Sequence, residues 1–377
     1  MNEKKSPELF ERLVEYSKSD IYPFCMPGHK RQLRVPGAEQ AYAMDITEVE
    51  GFDDLHRADG ILKAITEEAQ KIYKVPHAFM SVNGSTACNL AAANCIPEDG
   101  ALLVAANCHC SVFNGAKLSK REVIEIAPAW VPITGTYGGI SPAEVENAFR
   151  GYPKIKAFIM TSPSYEGFVS DIKSIADVVH AHDAYLIVDE AHGAHLPFCK
   201  DMPESALYLG ADIVVHSLHK TLGSLNQTAM AFVMNEHLAE SFAEKLLMFT
   251  TTSPSYLLMA SIHHSVRNAG EHPELFDDYY KLLTNARSRL LQNKNIGIVD
   301  NDIIGRYNIF GLDTAKIMLI PKKISGNELY YRLLNDFNLQ LEKHDEKYAM
   351  AMTAFADTVD GFERLVKATA EIDSGLQ

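Results

Sequence analysis

No apolar run in this 377-residue chain approaches the ~20 residues that a membrane-spanning helix needs. The opening stretch, "MNEKKSPELFERL", lacks the apolar centre of a secretory signal and reads as an amphipathic helix. Cysteine is scarce. The six present match no disulfide framework, which fits a reducing, cytoplasmic setting. Basic residues are outnumbered, 35 against 49 acidic, and the net charge of −14 with no basic stripe argues against a nucleic-acid surface. There is no internal repeat and no low-complexity linker. There is also no phosphate loop of the form GxxxxGK[ST], so the "DEAH" at 189–192 is not read as a nucleotide-driven helicase box. The "CHC" triplet at 108–110 and the pair His192/His195 lack a second ligand pair at zinc spacing, and no metal is expected.

What is present is an ordinary globular composition, 47% hydrophobic and 22% charged, in a chain long enough for one large core or two smaller ones. Residues 6–18 look helical, and 20–58 look irregular, broken by Pro23, Pro27, Gly28, Pro36 and Gly37. From about 60 to 235, short β-branched runs recur: "ALLVAA", "EVIEIA", "KAFIMT", "AYLIVDE", "DIVVHS" and "TAMAFVM". Helical stretches such as 84–95, 142–150 and 172–182 separate several of them. Continuous buried strands alternating with helices predict an α/β fold with a mostly parallel sheet. Ligands of such sheets gather at the carboxyl ends of the strands. Beyond come long helices near 254–270 and 273–293, short strands near 297–300, 307–311, 316–320 and 349–354, and helices at 326–336 and 357–373. The expected units are an N-terminal helix and arm (1–58), a large domain (59–270) and a small α+β domain (271–377).

The strand ends hold the residues with chemistry. "VVHSLHKT" closes one strand with Ser217, His219 and Lys220. An unpaired ammonium there costs several kcal/mol to desolvate. Either Lys220 lies on an exposed loop, or its amine is neutralised in a covalent bond, as a Schiff-base lysine is. "AYLIVDEAHGAH" closes another strand with Asp189, Glu190, His192 and His195. "SVNGSTACN" is a glycine turn opening a helix, where backbone N–H groups and the hydroxyls of Ser85 and Thr86 make either a simple cap or a phosphate cradle. His109 follows a further strand. A phosphate cradle, a ring to cover a flat ligand, a strand-end acid and a strand-end lysine together meet the needs of pyridoxal 5'-phosphate.

The chain also resembles a known family, the Orn/Lys/Arg decarboxylases of the fold type I pyridoxal-phosphate enzymes, in its shorter bacterial branch. The resemblance is carried by "PFCMPGHK", "DITEVEGFDDLHRADGILKAITEEAQKIY", "NGSTACN", "NCHCSVFNGA", "PSYEGFVSDI", "VDEAHGAH", "HSLHKTLGSLNQTA" and "TTSPSY", which cover most of 20–260. It is weaker after 270, in "GLDTAKIMLI" and "QLEKHDEKYAMAMTAFAD". It implies a fold type I large domain with a small C-terminal α+β domain, and decarboxylation of lysine, ornithine or arginine. It makes Lys220 the Schiff-base lysine and Asp189 the partner of the pyridinium nitrogen. His109 would stack on the ring, with His192 beside its phenolic side. Ser85, Thr86, Ser217 and His219 would hold the phosphate or line its pocket, and Lys220 or His219 would return the proton to Cα. The resemblance also implies a homodimer with a shared site, in which Thr251, Thr252 and Ser253 reach the neighbour's phosphate. Two departures stand out. The family usually has a proline and a threonine where this chain has Gly223 and Asn226, and its members continue into a further C-terminal domain where this chain ends at Gln377.

Two other readings remain at this level. One keeps the cofactor and changes the reaction to that of an aminotransferase, aldolase or lyase, with Arg306 as the candidate for a substrate carboxylate. The other is a non-catalytic, cofactor-binding partner of a longer homologue. Glu166, beside "PSY", is the candidate acid for a substrate amine.

Overall fold

The central sheet is made from the short β-branched runs, together with one run whose pattern is weaker. Its strands are β1 (His77–Ser81), β2 (Ala101–Ala105), β3 (Val123–Ile126), β4 (Ile155–Thr161), β5 (Tyr185–Asp189), β6 (Ile213–His216) and β7 (Ala229–Val233). This is a computed structural model that describes residues 8–23, 25–27, 29–32, 35–96 and 100–376. The strand order is β1-β7-β6-β5-β4-β2-β3. The five from β6 to β3 run parallel, and β7 is antiparallel to both its neighbours, so β1 points the same way as β6. Strands β2, β6 and β7 are buried at every position, which is why they read as unbroken apolar runs.

That arrangement brings the carboxyl ends of β1, β2, β5 and β6 to one edge. The helix Gly84–Cys95 starts just after β1 and packs on β1, β6 and β7. Gly84, at φ +72°, makes the turn that few other residues tolerate. A second helix, Cys110–Ser119, starts after β2 and packs closely on the first. Gly115 permits this: a Cβ there would meet Ala93 Cβ at 2.9 Å and Asn89 O at 3.2 Å.

A second, antiparallel sheet has the order β8-β9-β11-β10, built from β8 (Ile296–Ile298), β9 (Lys316–Pro321), β10 (Lys343–His344) and β11 (Ala349–Met352). The helix Gly326–Phe337 packs on β9 and β11. The strand expected at 307–311 is only Gly311–Leu312, paired with Phe168–Val169, because Tyr307 and Asn308 turn the backbone at φ +52° and +56°. The arm expected to be irregular contains a short helix, Glu39–Met44. Its Phe24 and Gly28 lie outside the described residues. One apolar cluster includes Leu9, Leu62, Val214, Leu319 and Leu376, so the units proposed at 1–58, 59–270 and 271–377 share a core.

Candidate active site

Lys220 sits in a single helical turn, Leu218–Thr221, that begins directly after β6 and Ser217. Its Nζ lies 2.9 Å from His192 Nε2. Burial pushes the Lys220 amine below its ordinary range, while the nearby Asp189 carboxylate opposes that shift. Among the described residues no carboxylate lies within ion-pair distance of this amine. The loop that follows turns at Gly223, with φ +73°, where a Cβ would come within 3.1 Å of the Phe355 ring. Glycine at this departure from the family's usual sequence is therefore a backbone requirement.

Asp189 closes β5 and is 2% exposed. It accepts hydrogen bonds from Asn89 Nδ2 at 2.8 Å and from the Ala191 N–H at 3.1 Å. Burial raises its carboxyl above the ordinary range, against the bond from Asn89 and the charge of Lys220. Glu190 is equally buried but serves a different network. It accepts from His216 Nε2 at 2.7 Å, from the Ala206 N–H at 2.9 Å and from Ser205 Oγ. Adjacent residues at a strand end face opposite ways, and of these two acids Asp189 is the one whose charge acts on Lys220.

The start of the 84–95 helix has the properties of an anion site. Asn83, its N-cap residue, makes no side-chain cap; its Oδ1 instead accepts from the Thr251 N–H at 3.2 Å. The first N–H groups of the helix therefore lack an internal partner. Ser217 Oγ donates to Ser85 Oγ at 2.9 Å, which ties this cradle to the lysine turn. Thr86 is exposed at the same helix start. Thr251 and Ser253 are also exposed, and the contact of Thr251 with Asn83 sets this segment beside its own chain's cradle.

His109 is the exposed N-cap of the 110–119 helix, its Nδ1 2.8 Å from Ser111 Oγ. His219 Nδ1 lies 2.9 Å from the Thr228 carbonyl oxygen. His192 is buried, with Tyr165 packed on its ring at 4.7 Å and no partner at Nδ1 among the described residues. Burial holds its imidazole well below the ordinary range, assisted by the charges of Lys316 and Lys220. The other expected groups are elsewhere engaged. Arg306 is exposed, with its guanidinium over the Tyr307 ring. Glu166 is held by Lys343 Nζ at 3.1 Å and Tyr348 Oη at 3.2 Å.

Sequence reasoning missed several neighbours. Asn89 lies four residues after Ser85, on the same face of a small-residue helix, and that spacing was the available signal. Glu342 accepts from Tyr165 Oη at 2.5 Å, and its charge acts on Lys220. Lys316, the first residue of β9, and Asp313, in the turn before it, reach the His192–His195 segment.

These residues fit pyridoxal phosphate. Asp189 is a buried carboxylate with no cation in ion-pair distance among the described residues, as suits a protonated ring nitrogen. The uncapped helix start with two hydroxyls suits a phosphate, and Lys220, whose amine is lowered by burial, stands in the turn that Ser217 ties to that helix start.

Comparison with known proteins agrees. The Orn/Lys/Arg decarboxylase major domain matches residues 7–331. The arginine decarboxylase of Bacillus subtilis is 30% identical over 99% of this chain and 78% of its own length. The solved lysine decarboxylase of Francisella novicida superimposes with a TM-score of 0.84 at 20% identity, over 98% of this chain and 60% of that one. This chain thus spans 60% of the length of that enzyme. The serine palmitoyltransferase of Sphingomonas wittichii shares the fold with a TM-score of 0.67 at 14% identity, over 84% of this chain and 77% of that one. The fold is that of the fold type I enzymes, whose cofactor is pyridoxal phosphate, and the chain belongs to the Orn/Lys/Arg decarboxylase family.

Proposed function

We propose that this protein decarboxylates a basic amino acid, lysine, ornithine or arginine, with pyridoxal phosphate held as a Schiff base on Lys220. The observation that carries the reading is the Lys220 amine, half-buried at 2.9 Å from His192 Nε2, with the charge of Asp189 nearby and, among the described residues, no carboxylate in ion-pair distance. When bound, the cofactor supplies an electron sink for the pair left at Cα as carbon dioxide departs. Asp189 holds the proton on the ring nitrogen, and Asn89 orients Asp189. The N–H groups at 84–86 hold the phosphate with Ser85, Thr86 and Ser217. His109 covers the ring, His192 lines its edge, and Lys220 or His219 returns the proton to Cα. Glu342, whose charge reaches Lys220, gives the distal cation of a basic substrate a partner.

The same proposal includes a homodimer in which the exposed Thr251, Thr252 and Ser253 also meet the neighbour's phosphate. It places the protein in the cytoplasm, in keeping with six free cysteines. Among the described residues no helix is long and apolar enough to cross a membrane.

The test is an amino-acid panel assayed for carbon dioxide, amine and keto acid, with borohydride reduction and mapping of the modified lysine. Carbon dioxide and diamine or agmatine release, with the adduct on Lys220, is the expected result. Keto acid as the main product, or an adduct on another lysine, would sink the reading.

A further inference from the structure

Lys316 is the first residue of β9, and its side chain is completely buried. It makes two contacts. Its Nζ donates to Asp313 Oδ2 at 2.5 Å and to the backbone carbonyl of His192 at 2.9 Å. The other Asp313 oxygen, Oδ1, lies 3.2 Å from His195 Nε2 and accepts from the Ala315 N–H at 3.1 Å. The turn that follows β5 is thus gripped twice, at the His192 carbonyl by Lys316 and at the His195 ring by Asp313. Between those grips the His192 ring projects to Lys220, 2.9 Å away.

The packing is tight. A Cβ on Gly167 would meet Asp313 O at 2.7 Å and Lys316 Cβ at 3.2 Å, so the pair has little room to shift. We propose that Lys316 and Asp313 are positioning residues: their ion pair, at the start of β9, clamps the 190–195 turn and sets the His192 ring against the Lys220 amine, while the Lys316 ammonium supplies a fixed charge near it. This deepens the reading of Lys220 as the cofactor-bearing lysine and rests on it.

The electrostatics agree with the geometry. Burial alone would raise the Asp313 carboxyl, yet Lys316 and His195 hold it well below its ordinary range. The Asp313 carboxylate is therefore held in its charged form, and its hydrogen bonds are satisfied by Lys316 and the Ala315 N–H. The groups whose charges act on Lys220 are Asp189 from β5, Lys316 from β9 and Glu342. His192 feels Lys316, Lys220, Asp313 and His109. Lys316 disfavours the protonated form of both Lys220 and His192. A nearby cation acts in the same sense on a protonated Schiff-base nitrogen at Lys220.

The test uses the purified full-length holoenzyme. The double variant Lys316→Met with Asp313→Asn removes both charges at nearly constant volume, so neither partner is left buried and unpaired. Two quantities are read: kcat, and the pH midpoint of the visible band of the cofactor–lysine linkage. The expected result is a kcat lower by about 10²-fold, the scale of a misplaced catalytic group, together with a midpoint shifted upward. Lys316→Arg keeps the cation and is the second variant, usable if the double variant does not fold. Its midpoint should stay at the wild-type value while kcat falls several-fold, because a planar fork replaces a single point donor. A folded double variant with an unmoved midpoint, whatever its kcat, overturns the proposal, and so does a shifted midpoint in Lys316→Arg. If instead the wild-type protein carries no borohydride-trapped cofactor on Lys220, the reading of the site fails before the clamp is tested.

Discussion

Lys220 and Lys316 both reach His192, the half-buried Lys220 at its ring and the fully buried Lys316 at its carbonyl. Lys316 has its own carboxylate at 2.5 Å and is wholly enclosed. Lys220 has a histidine at 2.9 Å and Asp189 only as a nearby charge. The difference decides what each amine can do. Lys316 is held by its carboxylate and by the His192 carbonyl and is enclosed, so its amine is out of reach of a ligand. A lysine whose burial is not offset by a pair moves toward the neutral amine, the form that attacks an aldehyde.

The largest expected effect separates the two lysines outright. Lys220→Ala should abolish the borohydride-trapped adduct and lower turnover by at least about 10³-fold. Lys316→Arg should retain the adduct on Lys220. Mass mapping of the reduced protein checks both. A trapped adduct that moves to Lys316 or another lysine in the Ala variant would break the comparison.

The same contrast exists between neighbouring acids. Asp189→Asn should cost about 10²- to 10³-fold in kcat with the cofactor still bound, because the proposed partner of the ring nitrogen becomes a neutral amide. Glu190→Gln should act mainly on stability, because its partners are His216, Ser205 and the Ala206 N–H. Activity per bound cofactor and melting temperature, measured on both variants, separate the roles. Equal kcat losses at equal cofactor content would show that the strand end does not sort the two acids.

Much of this contrast was legible in the chain. The β-branched runs marked β2 to β7, and the lysine, the acid and the Gly-Ser-Thr turn stand at strand ends that the fold brings to one edge. β1 escaped because "HAFMS" is short, with only partly alternating burial and no β-branched residue. Lys316 and Asp313 escaped for a different reason. "DTAK" reads as a turn, and its partner carbonyl at His192 is 124 residues away, a distance no local spacing encodes. Glu342, 177 residues from Tyr165, is hidden in the same way. Glu166 drew attention by standing next to "PSY", yet its charge is met by Lys343.

Stability should expose the two lysines with opposite outcomes. Lys316→Met leaves Asp313 charged, enclosed and paired only with His195, and breaking one side of a buried pair costs about 3–5 kcal/mol. Lys220→Met removes an amine that lacks a carboxylate in ion-pair distance among the described residues, so in the cofactor-free protein it should be neutral or mildly stabilising. Urea unfolding of the two variants, freed of cofactor, checks this. A Lys220→Met loss as large as that of Lys316→Met would mean that Lys220 is a structural cation after all.

The smallest expected effect is the pH dependence of that cofactor-free stability. Lys220 has a folded-state value below its unfolded one. Between the two values the unfolded chain binds more protons than the native chain, so stability rises with pH across that window. The contribution is fully present above the unfolded value of about 10.4 and is lost as pH falls through the depressed folded value. Asp189 acts in a separate window on the acid side. Its folded value is raised, so its contribution is present below about 3.9 and is lost as pH rises through the folded value. Lys220→Met should therefore flatten the alkaline rise and leave the acid-side slope in place, while Asp189→Asn should do the reverse. Urea midpoints measured across pH on the wild type and both variants give the slopes. An alkaline slope that survives Lys220→Met would assign it to another group and remove the electrostatic argument that burial lowers the Lys220 amine.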